Sequence, residues 1–136
     1  MPGEKFFYET VIRENHLDSF GHVNNAKYLE LFEESRWETI SSHGYGLPEV
    51  QALQQGPVIL EANVRFSKEL KLRERIRISF QTLSSAGRVT KLEQVLFNSA
   101  GQVSATALFT VGFFDLKARK LITPSEGWLK AIGWTT

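Results

Sequence analysis

A chain of 136 residues, 42% apolar with ten Phe and three Trp, can form one domain with a real core and is too short for two. Sixteen Lys and Arg against fifteen Asp and Glu leave a formal charge of +1, so no global field draws it to nucleic acid or anionic lipid. The lack of cysteine excludes disulfides, thiolate nucleophiles and cysteine-ligated zinc together, which leaves oxygen and nitrogen groups for any chemistry.

The first residues offer only the aromatic run Phe6, Phe7, Tyr8 before a charge, well short of a secretory apolar region. No later stretch approaches a membrane span, so a soluble cytoplasmic protein is expected. Residues 6–13 mix aromatic and β-branched side chains and read as a first strand. The polar, Gly-containing stretch 14–25 is too long for a tight turn. From 26 to about 43, Tyr28, Leu29, Phe32, Arg36 and Ile40 recur at helical spacing, and Ala26, Leu31 and Trp37 widen the apolar arc. This predicts a long helix buried on several sides, capped by Asn24 or Asn25 and stopped by Gly44 and Gly46.

A short helical turn at 49–54 leads back to strand. Over 58–66 the alternation places Val58, Leu60, Ala62, Val64 and Phe66 on one face and Glu61, Asn63 and Arg65 on the other. Further strands are expected at 75–84, 88–98 and 102–114, joined by turns at 84–87 and 98–101. A turn at 115–120 and a short helix at about 124–132 complete the chain. The order is α+β: five strands in one antiparallel sheet, strongly curved so as to wrap one apolar helix.

The run Asp18-Ser-Phe-Gly21-His22-Val-Asn24-Asn25 is a polar loop entering the start of that helix. Free backbone N–H groups and the positive end of the helix dipole meet there, so a carbonyl oxygen gaining negative charge would be stabilised. Asp18, seven residues before Asn25, faces the same region and can attack a thioester carbonyl or deprotonate a water that does. Gly21 allows a turn or a close approach to a ligand. An Asp ahead of a Gly in a loop is also what an Asx-turn looks like, and loop composition alone favours that plainer reading.

The run Asp18-x-x-Gly-His-Val-Asn-Asn-Ala-Lys-Tyr28, followed by Phe32-Glu-x-x-Arg36, resembles the four-hydroxybenzoyl-CoA thioesterase branch of the hotdog superfamily. It is also similar to the corresponding segment of plant acyl-ACP thioesterases. The resemblance implies a single hotdog domain over 1–136, acting on an acyl-CoA to give a carboxylic acid and free CoA, without cofactor or metal. It implies that Asp18 is nucleophile or general base and that the backbone N–H of Asn25 polarises the thioester carbonyl. Gly21, His22 and Asn24 would shape the pocket, Tyr28 would line the acyl channel, and Arg88 and Lys91 would stand near CoA phosphates at the rim, although a generic exposed cation is the plainer reading of both. The resemblance also implies a homodimer or homotetramer, with active sites built between subunits.

The chain departs from the plant enzymes at Phe20, where they carry an Asn of their catalytic group, so that dyad is not carried over. His22 matches their His; a loop-fixing hydrogen bond and a chemical role are both open for it. A non-catalytic hotdog module that binds acyl-CoA or a protein partner is the alternative, since fold does not fix function. Hotdog dehydratases are disfavoured because their His-centred motif is absent. His16 is expected to be solvated and His43 to favour the helix dipole. Glu33 and Glu34 are expected to pair with Arg36 or a subunit neighbour. Glu61, Asn63 and Arg65 suit either a dimer seam or a solvated face, and three His without metal-ligand spacing give no metal site.

Overall fold

The computed structural model describes residues 1–135. Its strands are β1 (Lys5–Val11), β2 (Gln55–Phe66), β3 (Arg75–Ala86), β4 (Val89–Phe97), β5 (Val103–Asp115) and β6 (Lys120–Ile122). They form one antiparallel sheet in the order β1-β3-β4-β5-β2, with β6 paired to β5. Helix α1 (Asn25–Ser42) lies on the inner face, α2 (Leu47–Leu53) feeds β2, and α3 (Glu126–Ala131) packs beside the end of α1.

β2 does not pair with the strand that follows it. It runs along β5, from Gln55 opposite Asp115 to Phe66 opposite Ala105, and forms one edge of the sheet. The link 67–74 is too long for a hairpin turn and buries Leu70, which anchors the crossing to β3. Within β2 the pairing shifts by one residue between Ile59 and Glu61. A one-residue slip reverses every side chain beyond it. Ala62 pairs with buried Phe109 and Val64 with buried Ala107, so they face inward, whereas Val58 pairs with Gly112, which alternates with the core residues Val111 and Phe113 and so points the other way. The single apolar face expected for 58–66 is therefore divided by the bulge at Leu60: Val58 and Leu60 lie outside, Ala62, Val64 and Phe66 inside.

α1 buries a narrower stripe than its composition suggests. Tyr28, Leu31, Phe32, Ser35, Arg36, Thr39 and Ile40 are inside, the spacing that keeps one helical face in contact with a sheet. Leu29 is 43% exposed, Ala26 is exposed and Trp37 is half-buried, so the expectation of burial on several sides is not met within one chain. Phe32 meets Phe109 edge-on at 6.1 Å between ring centroids, which fixes the helix over the middle of β5. The helix ends at His43, and Gly44 takes a φ of +96°, a left-handed conformation that favours glycine. His43 stacks on Phe6 at 4.4 Å.

The sheet has a sixth strand, which begins where the turn expected at 115–120 ends. β4 begins at Val89, opposite Gly112, and leaves the flank of β5 beyond that point empty. β6 fills it, placing Ile122 opposite Phe113 and Lys120 opposite Asp115. A three-residue strand is too short to show alternation, which is why no pattern announced it.

Candidate active site

The loop ahead of α1 is closed on itself. Leu17 and Val23 form an isolated antiparallel bridge, the Asp18 N–H donates to the His22 carbonyl at 2.7 Å, and the Gly21 N–H donates to the Asp18 carbonyl at 3.1 Å. Gly21 has a φ of +81°, which suits glycine and explains its place in the run. Asp18 Oδ1 accepts from the backbone N–H groups of Phe20 at 2.9 Å and His22 at 3.1 Å. The Asx-turn is thus real, and one oxygen makes it. The other, Oδ2, has no donor among the described residues.

Asn24 is the helix cap. Its side-chain oxygen accepts from the Ala26 N–H at 2.9 Å, and its carbonyl accepts from Lys27 and Tyr28 at 2.9 and 3.3 Å. The Asn25 N–H has no acceptor among the described residues and sits in the first turn of an eighteen-residue helix.

Asp18, His22, Asn24, Asn25 and Tyr28 line one cleft of about 410 Å³. Its far wall is the end of β2 and the next loop: Phe66, Ser67, Lys68 and Glu69. Tyr28 is buried, meets Phe66 edge-on at 5.0 Å, and has its phenol pKa raised by that burial. The His22 imidazole is exposed, with Nε2 3.6 Å from a Glu69 carboxylate oxygen. The far wall carried no signal in the sequence, because Ser67-Lys-Glu69 reads as ordinary loop and only the β2 crossing brings it to Asp18.

Three residues fall elsewhere than expected. His16 is buried, not solvated; its Nδ1 accepts from the Arg13 N–H at 2.8 Å and its carbonyl from the Asn24 N–H at 3.2 Å. Burial lowers its pKa below the ordinary histidine value. Arg88 is exposed in the β3–β4 turn, level with the Gly112 rung, whereas Phe66 is level with Ala105 and Leu96. Seven residues of strand, about 23 Å, separate those rungs, so the structure does not bring Arg88 to the cleft of its own chain. Glu34 accepts from the Tyr8 hydroxyl at 2.6 Å rather than pairing with Arg36. Burial and this contact push the Tyr8 pKa up to about 12.

A curved antiparallel sheet around one long helix, with a loop and helix start forming a cleft at its end, is the hotdog fold. The structure superposes on the hypothetical protein SAV2348 from Staphylococcus aureus, solved in complex with CoA, with a TM-score of 0.88 over 100% of this chain and 89% of that one, at 18% identity. It also matches the probable thioesterase YbaW from Escherichia coli, with a TM-score of 0.80 and 29% identity over 93% of this chain and 96% of that one. In sequence the chain is 33% identical over 120 residues to the long-chain acyl-CoA thioesterase FadM of Escherichia coli (strain K12), covering 88% of this chain and 89% of the relative. Residues 12–132 match the thioesterase-like superfamily. The chain belongs to that superfamily and is a thioester hydrolase.

Proposed function

We propose that the protein hydrolyses acyl-CoA thioesters to a carboxylic acid and free CoA, with the reacting carbonyl held between Asp18 and the start of α1. The observation that carries this reading is that one cleft is lined both by Asp18, with a carboxylate oxygen that has no donor, and by Asn25, with a helix N–H that has no acceptor, among the described residues. The thioester oxygen accepts the Asn25 N–H, where the helix dipole favours developing negative charge. Asp18 Oδ2 then attacks the carbonyl carbon, forming an acyl anhydride that water cleaves, or it takes a proton from a water that attacks. Both routes expel CoA as a thiolate, which takes up a proton. The Phe20 and His22 N–H groups hold Oδ1 and so aim Oδ2. Gly21 and Asn24 shape the loop and the cap, His22 and Tyr28 flank the substrate, and no cofactor or metal enters the reaction.

The reading includes a cytoplasmic homodimer or homotetramer. β2 is an edge strand of twelve residues with Ile59, Leu60 and Phe66 each at least 40% exposed, an edge that a second copy would cover. Arg88 keeps a CoA-binding role here only as a residue given across such a seam. The second reading, a module that binds acyl-CoA without cleaving it, draws on the Asx-turn, since a purely structural Asp would make the same two bonds. Free-thiol release from short, long and aryl acyl-CoAs, measured beside their binding, separates the two: release on mixing supports hydrolysis, and binding without release supports the module.

A further inference from the structure

Further along α1 lies a group that the proposed chemistry leaves unused. Arg36 is 8% exposed, and its guanidinium lies 4.4 Å from the centroid of the Phe109 ring. Its Nη1 donates to Gln94 Oε1 at 3.2 Å, while Gln94 Nε2 donates to the Phe32 carbonyl at 3.2 Å, so a buried amide fixes the guanidinium. Its remaining donors have no acceptor, and no carboxylate forms an ion pair with it, among the described residues. Burial lowers its pKa to about 10, with Glu33 pulling the other way. Leaving a buried cation without compensation is costly, and so is leaving its N–H groups unbonded.

Trp128 on α3 shows the same feature. It is fully buried against Phe113, and its indole N–H has no partner among the described residues. Arg36 and Trp128 line one cavity of about 180 Å³, whose other walls include Glu33, Trp37, Ile40, Ile59 and Val111. A mainly apolar chamber lined by two buried donor-bearing side chains, with Glu33 also at its wall, complements a hydrogen-bond-accepting oxygen on an apolar stem. The volume is below the roughly 300 Å³ at which whole-ligand pockets begin, so it suits the end of a ligand. From Asn25 to Arg36 the helix rises about 16 Å. On the inward side of β2, Ala62 is exposed and Val64 half-buried.

We propose that Arg36 and the Trp128 indole N–H form the far end of the acyl site and select acyl groups carrying an oxygen acceptor remote from the thioester, a distal hydroxyl or carboxylate. The inference rests on the thioesterase reading above and adds the substrate class. The chain binds with its thioester at Asn25 and its tail along α1. The distal oxygen accepts from the guanidinium and the indole, and a plain alkyl end leaves both donors unpaired.

The test uses sets of acyl-CoAs of equal length, long enough to span the helix, ending in methyl, hydroxyl or carboxylate, with thiol release read as kcat/KM. The wild-type protein is expected to prefer at least one oxygenated member over the methyl member by on the order of tenfold or more. In Arg36→Met and Trp128→Phe that ratio is expected to fall toward one. Equal rates on all members, or a preference for methyl, overturns the inference and leaves the thioesterase reading standing. An undiminished preference in both variants overturns it too. If a variant does not fold, the wild-type ratio decides. If no acyl-CoA releases thiol, the thioesterase reading fails, and calorimetric affinities for the same sets decide the inference: a tenfold preference for an oxygenated member supports it and equal affinities overturn it.

Discussion

Asp18 serves structure and, in the proposed reaction, chemistry with different oxygens. Oδ1 takes two backbone N–H bonds and closes the loop; Oδ2 has no donor among the described residues, and Asp18 lines the same cleft as Asn25. His16, two residues earlier, holds the loop from below through a ring nitrogen that accepts the Arg13 N–H. Protonating that nitrogen removes the acceptor, and burial already lowers the His16 pKa. The folded state therefore binds this proton less readily than the unfolded chain, and the contribution is complete above the unfolded value of 6.5 and lost as pH falls through the lower folded value. Melting temperatures between pH 7.5 and 5 should fall for the parent and fall less for His16→Gln; parallel curves would count against this role. None of this was legible in the sequence, where a lone loop His looks solvated. Asp18 itself was legible only through the Gly-His-Val-Asn-Asn run, because loop chemistry alone pointed as readily to an Asx-turn.

At the level of elements, the start of α1 determines which donor stays open. Asn24 takes the Ala26 N–H, and that of Asn25 has no acceptor among the described residues. Asn24→Ala should lower stability by about 1 kcal/mol, measured by denaturant unfolding, and lower kcat as the first turn frays. Unchanged kcat in a measurably destabilised variant would separate the cap from the chemistry. The helix and the strands at 75–86, 89–97 and 103–115 follow from periodicity because each is long and patterned. The bulge at Leu60 does not, because Val58-Ile-Leu60 is apolar on both faces and alternation cannot show where one residue slips. β6 escapes because it is short and held by the vacant flank of β5.

Over the whole molecule, the β2 crossing does most to build the candidate site. It brings Phe66 and Lys68 opposite Asp18 and leaves an apolar edge of Ile59, Leu60 and Phe66 in the open. Long-range pairing of this kind leaves no local trace in composition, so the far wall and the chamber under Arg36 were invisible before the fold. Light scattering of the purified protein should give twice or four times the 15.5 kDa of one chain; a stable species of that single mass would remove the subunit seam from the account.

The central claim is that the carboxylate of Asp18 acts on a thioester polarised at the start of α1. Asn in its place keeps an oxygen for the Phe20 and His22 N–H groups, so Asp18→Asn should fold and melt like the parent. Its thiol release from an accepted acyl-CoA should fall on the order of a hundredfold or more. Parental turnover in that folded variant would contradict the account.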